Sequence, residues 1–328
     1  MAILDHHNLR RQAASRLEKA PNRGKLVLLF ACVLAGLSLA AGIISVILDG
    51  QIAGTGGLGG LQARSILSTI QATMNIAIYA FVPFWNLGYT SVALKWGRGD
   101  AACEGDLLNG FRRFGPALRL MLLRLVVYSA IAFAVAQVAR ILFSFTPWAL
   151  PFYQQLESSG LMDPTAILDE AAIEALITAM IPYWIIAGAL YLAALIPVTY
   201  RLRMAEFRLM DEPQCGALMV LLQSNRMMKG NCVKLFKVDL QFWWYYLASI
   251  LIPVLCYGDV LLPAIGVELP FDPLVSFFLF YVVAQLAQIF LYWRCRNQLE
   301  CTYACAYDEL LEDWMLPAPP PQNNPWND

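Results

Sequence analysis

Apolar positions in this chain gather into six long runs, at 26–48, 66–94, 118–145, 175–199, 238–256 and 274–293. Each run approaches or exceeds the roughly 20 apolar residues that carry a helix across about 30 Å of hydrocarbon. None shows the period-two alternation of a membrane β-strand. Helices are therefore expected, because lipid offers exposed backbone groups no partner. The predicted fold is all-α: a polytopic membrane protein of six transmembrane helices with short interfacial amphipathic helices.

Between the runs the pattern turns amphipathic. Over 8–20, Leu9, Ala13 and Leu17 share a helical face with Arg10, Arg11, Arg16 and Lys19 around the rest, and Pro21 and Gly24 end the helix. Such a helix either lies at an anionic inner leaflet or is a solvated basic arm. In the second gap, Leu107, Leu108, Phe111 and Phe114 form one stripe, with Arg112 and Arg113 off it. In the fourth, a helix is expected to start at Asp211 or Glu212 with Pro213 in its first turn and to close at Gly230. Its expected apolar face is Leu218, Leu221, Leu222 and Met228. The two gaps resemble each other, which suggests an internal repeat of spans two–three in spans four–five. Glycines at 54–60 predict a flexible loop. Asp163 before Pro164 predicts a helix start leading into span four, which Pro182 and Pro197 should kink or segment. Tyr303, Tyr307, Leu310, Leu311 and Trp314 predict an amphipathic helix over 300–316. The proline-rich tail, 317–328, reads as disordered.

Charge orients the array. Arg10, Arg11, Arg16, Lys19, Arg23 and Lys25 precede the first run; the second gap holds Lys95, Arg98, Arg112 and Arg113; the fourth holds Arg201, Arg203, Arg208, Arg226, Lys229, Lys234 and Lys237. The first gap has only Arg64, and the third and fifth have no Lys or Arg. The positive-inside rule places both termini and the second and fourth gaps in the cytoplasm. The expected layout is a basic arm at 1–25, a six-helix membrane domain at 26–299, then the cytoplasmic helix and tail. The first run exceeds the 7–15 residues of a signal h-region, so it is read as a retained span. Charged residues are only 14% of the chain, against about 25% in soluble domains, which agrees with a membrane protein. Of eight cysteines, six fall on the cytoplasmic side and one lies within span one, which implies a reducing compartment and no disulfide framework.

Two segments carry a resemblance. One runs from Asp211-Glu-Pro213 through Ser224-Asn-Arg226-Met-Met-Lys229-Gly230-Asn231 to Leu235-Phe236-Lys-Val-Asp239-Leu240-Gln-Phe242-Trp243. The other is Gly88-Tyr89 followed by Asp106-Leu-Leu-Asn-Gly110-Phe111. Together with the basic N-terminal helix they resemble the bacterial integral membrane family known as domain of unknown function 975, over about residues 8 to 300. More distantly, the chain resembles the membrane domains of some bacterial glycerophosphodiester phosphodiesterases. The resemblance implies a multi-pass protein of the bacterial cell membrane with no established activity or cofactor. The interfacial residues Asp211, Pro213, Ser224, Arg226, Lys229 and Gly230 are candidates on that basis. The acidic third gap and the aromatic, proline-rich C-terminus depart from the family pattern.

Polar residues at membrane depth are costly and face protein or water. Arg124 in span three and Asp239 at the start of span five fall at similar depth and form a candidate ion pair; alternatively Arg119 and Arg124 snorkel to headgroups. Asn75 and Asn86 in span two, Gln137 and Arg140 in span three, and Gln285 and Gln288 in span six are candidates for a polar cavity, or else for interhelical hydrogen bonds. Tyr79 shares the face of Asn75 and Asn86. Small residues at Ser38 and Gly42, and at Ala189 and Ala193, suggest close helix approach.

Catalytic signatures are missing. No P-loop, Gly-x-Ser-x-Gly elbow or His-Glu-x-x-His occurs. The two histidines, His6 and His7, are adjacent in the arm, and Cys295, Cys301 and Cys305 have no nearby histidine, so neither a metal nor a cofactor is expected. The acidic residues Glu300, Asp308, Glu309, Glu312 and Asp313 are read as one solvated helix face. Basic residues track the inner leaflet and do not point to nucleic acid. The expected function is non-enzymatic: engagement of membrane lipids or a partner protein, including self-association, at the inner face. The alternative is a transporter or exporter of a small or amphipathic solute.

Overall fold

A computed structural model describes residues 6–54, 57–158, 170–212, 214–264, 266–267, 270 and 272–315. Among the described residues every regular element is helical. The helices are α1 (His6–Lys19), α2 (Arg23–Gly54), α3 (Gly57–Arg98), a 3₁₀ turn (Glu104–Leu108), α4 (Asn109–Arg112), α5 (Phe114–Ser144), α6 (Ala149–Ser158) and α7 (Glu170–Leu202). There follow α8 (Ala205–Asp211), α9 (Ala217–Met227), α10 (Cys232–Leu240), α11 (Trp243–Leu255), α12 (Gly258–Ala264), α13 (Pro273–Leu291), a π-helical turn (Tyr292–Arg296) and α14 (Asn297–Met315).

Among the described residues, five helical stretches are long and apolar enough to cross a membrane, and a sixth is if α10 and α11 count as one bent span. Their apolar side chains stay largely uncovered by protein: Leu125, Phe133, Trp184, Ile185 and Leu286 are all exposed. Surfaces of this extent are a liability in water and the normal condition in lipid.

The chain divides into two compact units, 1–118 with 204–328, and 119–203. The second unit, a helical hairpin, falls in sequence within the expected membrane domain, 26–299. In the hairpin, α6 packs on α7 and the Phe143 ring meets Phe152 and Tyr183 at 5.7 and 5.8 Å. Arg124 Nη2 donates to the Leu202 carbonyl there at 2.6 Å.

In the larger unit, α3 and α14 form the centre, with α1, α2 and α13 packed around them. Among the described residues, Trp96, Tyr89, Tyr303, Tyr307, Phe30, Phe207 and Phe242 are its largest fully buried side chains. The small residues of α2 act as expected: Ser38 Oγ and Tyr281 Oη lie 2.9 Å apart, and a Cβ on Gly42 would meet the Tyr281 ring at 3.0 Å. Ala189 and Ala193 on α7 are exposed instead.

Several expectations need correction. Span five is not one helix: the chain bends by 67° between α10 and α11, and the part beyond the bend has 13 residues, about 20 Å at 1.5 Å each. Gly54 and Gly57–Gly60 are helical, and Thr55 and Gly56 lie outside the described residues. No helix starts at Asp211: that residue ends α8, and α9 starts six residues later at Ala217 behind Gly216. The expected apolar face is divided: Leu221 and Met228 are buried together with Val220 and Met227, while Leu218 and Leu222 are exposed. Gly230 closes the turn after α9 with φ +84°, which glycine adopts without strain. Helix α7 is not segmented at Pro182 or Pro197, both of which lie inside it. The expected start at Asp163–Pro164, the tail 317–328 and Pro213 lie outside the described residues.

The two amphipathic helices at the chain ends also differ from their expected settings. Leu9, Ala13 and Leu17 of α1 are buried against α14, so α1 spends its apolar face on protein, not on a leaflet. Helix α14 continues span six through the π turn, and Cys301 to Tyr307 are all buried. Asp308 on it is not simply solvated: it accepts from Arg98 Nε at 3.1 Å and Nη2 at 2.9 Å.

Candidate functional site

The amphipathic segments of the larger unit converge in one polar layer at the basic ends of α2, α3 and α13. Helix α3 projects into this layer, and α1, the 3₁₀ turn, α4, α8, α9 and α14 pack on it or on one another.

The first cluster holds the 3₁₀ turn and α4 to α3. A Cβ on Gly88 would lie 1.8 Å from the Leu107 carbonyl oxygen, and one on Gly110 2.0 Å from the Phe84 carbonyl oxygen. Two backbones therefore touch where only hydrogen fits. Lys95 Nζ donates to both Asp106 oxygens at 2.8 and 2.9 Å, and the Cys103 N–H donates to Asp106 at 2.8 Å. Asn109 Nδ2 donates to Ser91 Oγ at 2.9 Å, and the Phe111 ring lies 5.0 and 5.6 Å from those of Phe81 and Phe84. Burial raises the Asp106 carboxyl, but the Cys103 N–H and the Lys95 ammonium outweigh it, leaving the group below its ordinary range.

In the second cluster, Arg98 bridges two carboxylates. Its Nη1 donates to Asp211 at 2.7 Å, and Nε and Nη2 hold Asp308. Tyr307 donates to Asp211 at 2.9 Å, and Arg208 pairs with Glu212 at 2.8 Å and Gln223 at 3.0 Å. Arg113 donates to the Leu209 carbonyl at 3.0 Å and to that of Met210, which caps the end of α8.

The third cluster explains the α10–α11 bend. Asp239, in the last turn of α10, accepts from Tyr303 and from Tyr246, the latter at 2.8 Å, while Phe242 is buried. Asp239 is thus tied to α14 through Tyr303, whereas the Phe242 ring just past Gln241 lies under the Arg10 guanidinium of α1, 5.1 Å from its centre. A fourth group surrounds Arg296: its guanidinium carbon lies 4.8 Å from the Phe30 and Tyr292 ring centres, and Nη2 donates to Asn86 Oδ1 at 2.8 Å.

The residues singled out in the sequence fall as follows. Asp239 and Arg124 belong to different units, each with the partners given above. Asn86 is engaged by Arg296, and Gln285 Nε2 donates to Ser38 Oγ at 3.1 Å. Asn75 and Gln288 are half-buried in the larger unit; Gln137 is half-buried and Arg140 exposed in the hairpin. The side chain of Tyr79 lies outside the described residues. Asp211 sits in the Arg98 cluster, Ser224 is fully buried, and Arg226 and Lys229 are exposed. Sequence reasoning missed Arg98 and Lys95 as ion-pair partners and Arg296 as the centre of an aromatic group. The available signals were the glycine pair 88 and 110 and the clustering of aromatics near Arg296.

Chemically, Asp106, Asp211, Asp239 and Asp308 are each held by a cation or a phenol, an arrangement suited to fixing helices. Among the described residues no three His, Cys, Asp or Glu side chains are grouped to hold a metal.

Compared with known proteins, the chain matches no curated protein and no solved structure. A family profile described as "Protein of unknown function (DUF975)" matches residues 3–299, a stretch that includes both backbone-contact glycines, Asp106, Asp211 and Asp239. The chain thus belongs to the DUF975 family.

Proposed function

We propose that this is a multi-pass protein of the bacterial cell membrane, with both ends in the cytoplasm, whose basic face engages lipid without performing catalysis. The observation that supports this is the second apolar face of α9 and α10. Leu221, Val220, Leu235 and Val238 are buried in the protein, yet Leu218, Leu222, Val233, Phe236 and Leu240 are exposed on the other side. Arg226 on α9, Lys229 in the turn between the two helices and Lys237 on α10 are exposed, and Trp243 and Trp244 follow at the start of α11. Apolar side chains flanked by cations and followed by tryptophans match the headgroup boundary of an anionic leaflet. The surface continues into α11, so it meets the bilayer wherever α11 does. Helix α1, whose apolar face is used up, contributes only charge.

Transport has no comparable support, since Asn86 and Gln285 are engaged by Arg296 and Ser38. The test is a Phe236→Trp variant in bilayers of lipids brominated at defined acyl depths. Quenching strongest with bromines nearest the headgroup supports the reading. Fluorescence at position 236 indifferent to bromolipid would overturn it.

A further inference from the structure

We infer that a cleft between the end of α1 and the α13–α14 junction receives the headgroup of an amine-bearing phospholipid, its phosphodiester on Arg23 and Arg294 and its ammonium on Glu18. This deepens, and rests on, the lipid-engaging reading above.

The cleft has a volume of about 500 Å³ and lies wholly within the larger unit. That volume falls in the usual range for small-molecule sites. Three separate elements supply its charges: Glu18 from the last turn of α1, Arg23 from the first residue of α2, and Arg294 from the π turn. Among the described residues, neither Glu18 nor Arg294 makes a hydrogen bond or ion pair. Arg23 spends one nitrogen on the Leu17 carbonyl, at 3.4 Å. Guanidiniums suit a phosphodiester, and a carboxylate beside them suits the ammonium such a headgroup carries.

Position supports the same occupant. Arg23 opens spanning helix α2 and Arg294 follows spanning helix α13, so both sit at the boundary where phosphodiesters lie. Phe290 and Trp293 line the cleft and are exposed; they continue an exposed stripe on α13 through Leu279, Val283 and Leu286. This spacing of three and four residues makes one helical face. An acyl chain can follow that face into the hydrocarbon while its headgroup stays in the cleft. The π turn matters here, because it inserts the extra residue that sets the direction of Arg294 relative to the stripe.

The test uses the full chain, delipidated in detergent, with native mass spectrometry as readout and phosphatidylethanolamine and phosphatidylglycerol as probes. The parent should retain one phosphatidylethanolamine per chain in preference to phosphatidylglycerol. An Arg23→Gln/Arg294→Gln variant should bind it about tenfold more weakly or worse. Glu18→Gln should erase the preference and leave phosphatidylglycerol binding intact. If the double variant does not fold, Arg294→Gln alone, at an exposed position, carries the test. Unchanged retention in the arginine variants overturns the inference, and so does a parent indifferent to the amine. A Phe236→Ser/Lys237→Gln variant on α10 separates the two proposals. If it loses lipid while the cleft variants do not, the lipid-engaging reading stands and the cleft assignment falls.

Discussion

Gly88 and Gly110 show how much one hydrogen atom can decide. Each faces a carbonyl oxygen of another segment at a distance no methyl group can occupy. Gly110→Ala should destabilise the protein by about 3 kcal/mol, since the obstructing atom is backbone and cannot rotate away. Gly115→Ala, with nothing within 4 Å of the new Cβ, should be neutral or stabilising by up to about 1 kcal/mol. Thermal unfolding of the two variants in one detergent checks the contrast. Asp106 makes a second prediction. Its carboxyl is depressed in the folded protein, so its contribution is present above the unfolded pKa, near 3.9, and is lost as pH falls through the folded value. Asp106→Asn should cost roughly 2 kcal/mol at neutral pH, and the gap from the parent should close below about pH 4. A gap independent of pH would remove the carboxylate from the explanation. Both residues lie within the stretch that the family profile matches, and here they form part of a set of backbone and ion-pair contacts clamping the second gap to α3.

Amphipathicity marks a helix with something to cover, but not what covers it. Helix α1 has the composition of a membrane-surface helix, and its Leu9 and Leu17 are nonetheless buried on α14. Burying two leucines is worth roughly 1.5–3 kcal/mol each, and a charge placed there loses that and adds a desolvation cost. Leu17→Asp should therefore release α1. Cys301 and Cys305 are buried beneath it, with Cys301 Sγ 3.8 Å from the Ala13 carbonyl and Arg16 Nη1 3.5 Å from Cys305 Sγ. In the parent, a maleimide should label exposed Cys103 quickly and these two slowly. In Leu17→Asp their labelling should rise by about tenfold or more, and unchanged protection would mean that α1 does not shield them. Helices α9 and α10 are the reverse case. They are apolar on both sides, so a hydropathy reading runs α10 into α11 as one span. The structure bends the chain there because Asp239 and Phe242 answer to different neighbours.

At the scale of the whole molecule, the charge pattern makes the prediction. Cations concentrate at the arm, the second and fourth gaps and the end of span six, so both termini belong on one side. Epitope tags placed before residue 6 and after Asp328 should react only in permeabilised cells. A cysteine at Asp259, between α11 and α13, should react in intact ones. Staining of the C-terminal tag on intact cells would reverse the assignment of every face.

The all-helical class and the presence of five to six stretches long and apolar enough to cross a membrane were legible from the sequence alone, because lipid imposes one rule on every residue: backbone bonds within the helix and apolar side chains outside. Local signals sufficed for the α1 amphipathic pattern, the turn at Gly230 and the close approach at Ser38 and Gly42. Tertiary structure alone decided which apolar faces were covered by protein, where α10 breaks from α11, and that the hairpin 119–203 forms its own unit. It alone joined Arg98 to Asp211 and Asp308, residues 113 and 210 positions apart. Such pairings depend on how helices pack across the chain, and a one-dimensional pattern holds the propensity of each helix but not the identity of its neighbour.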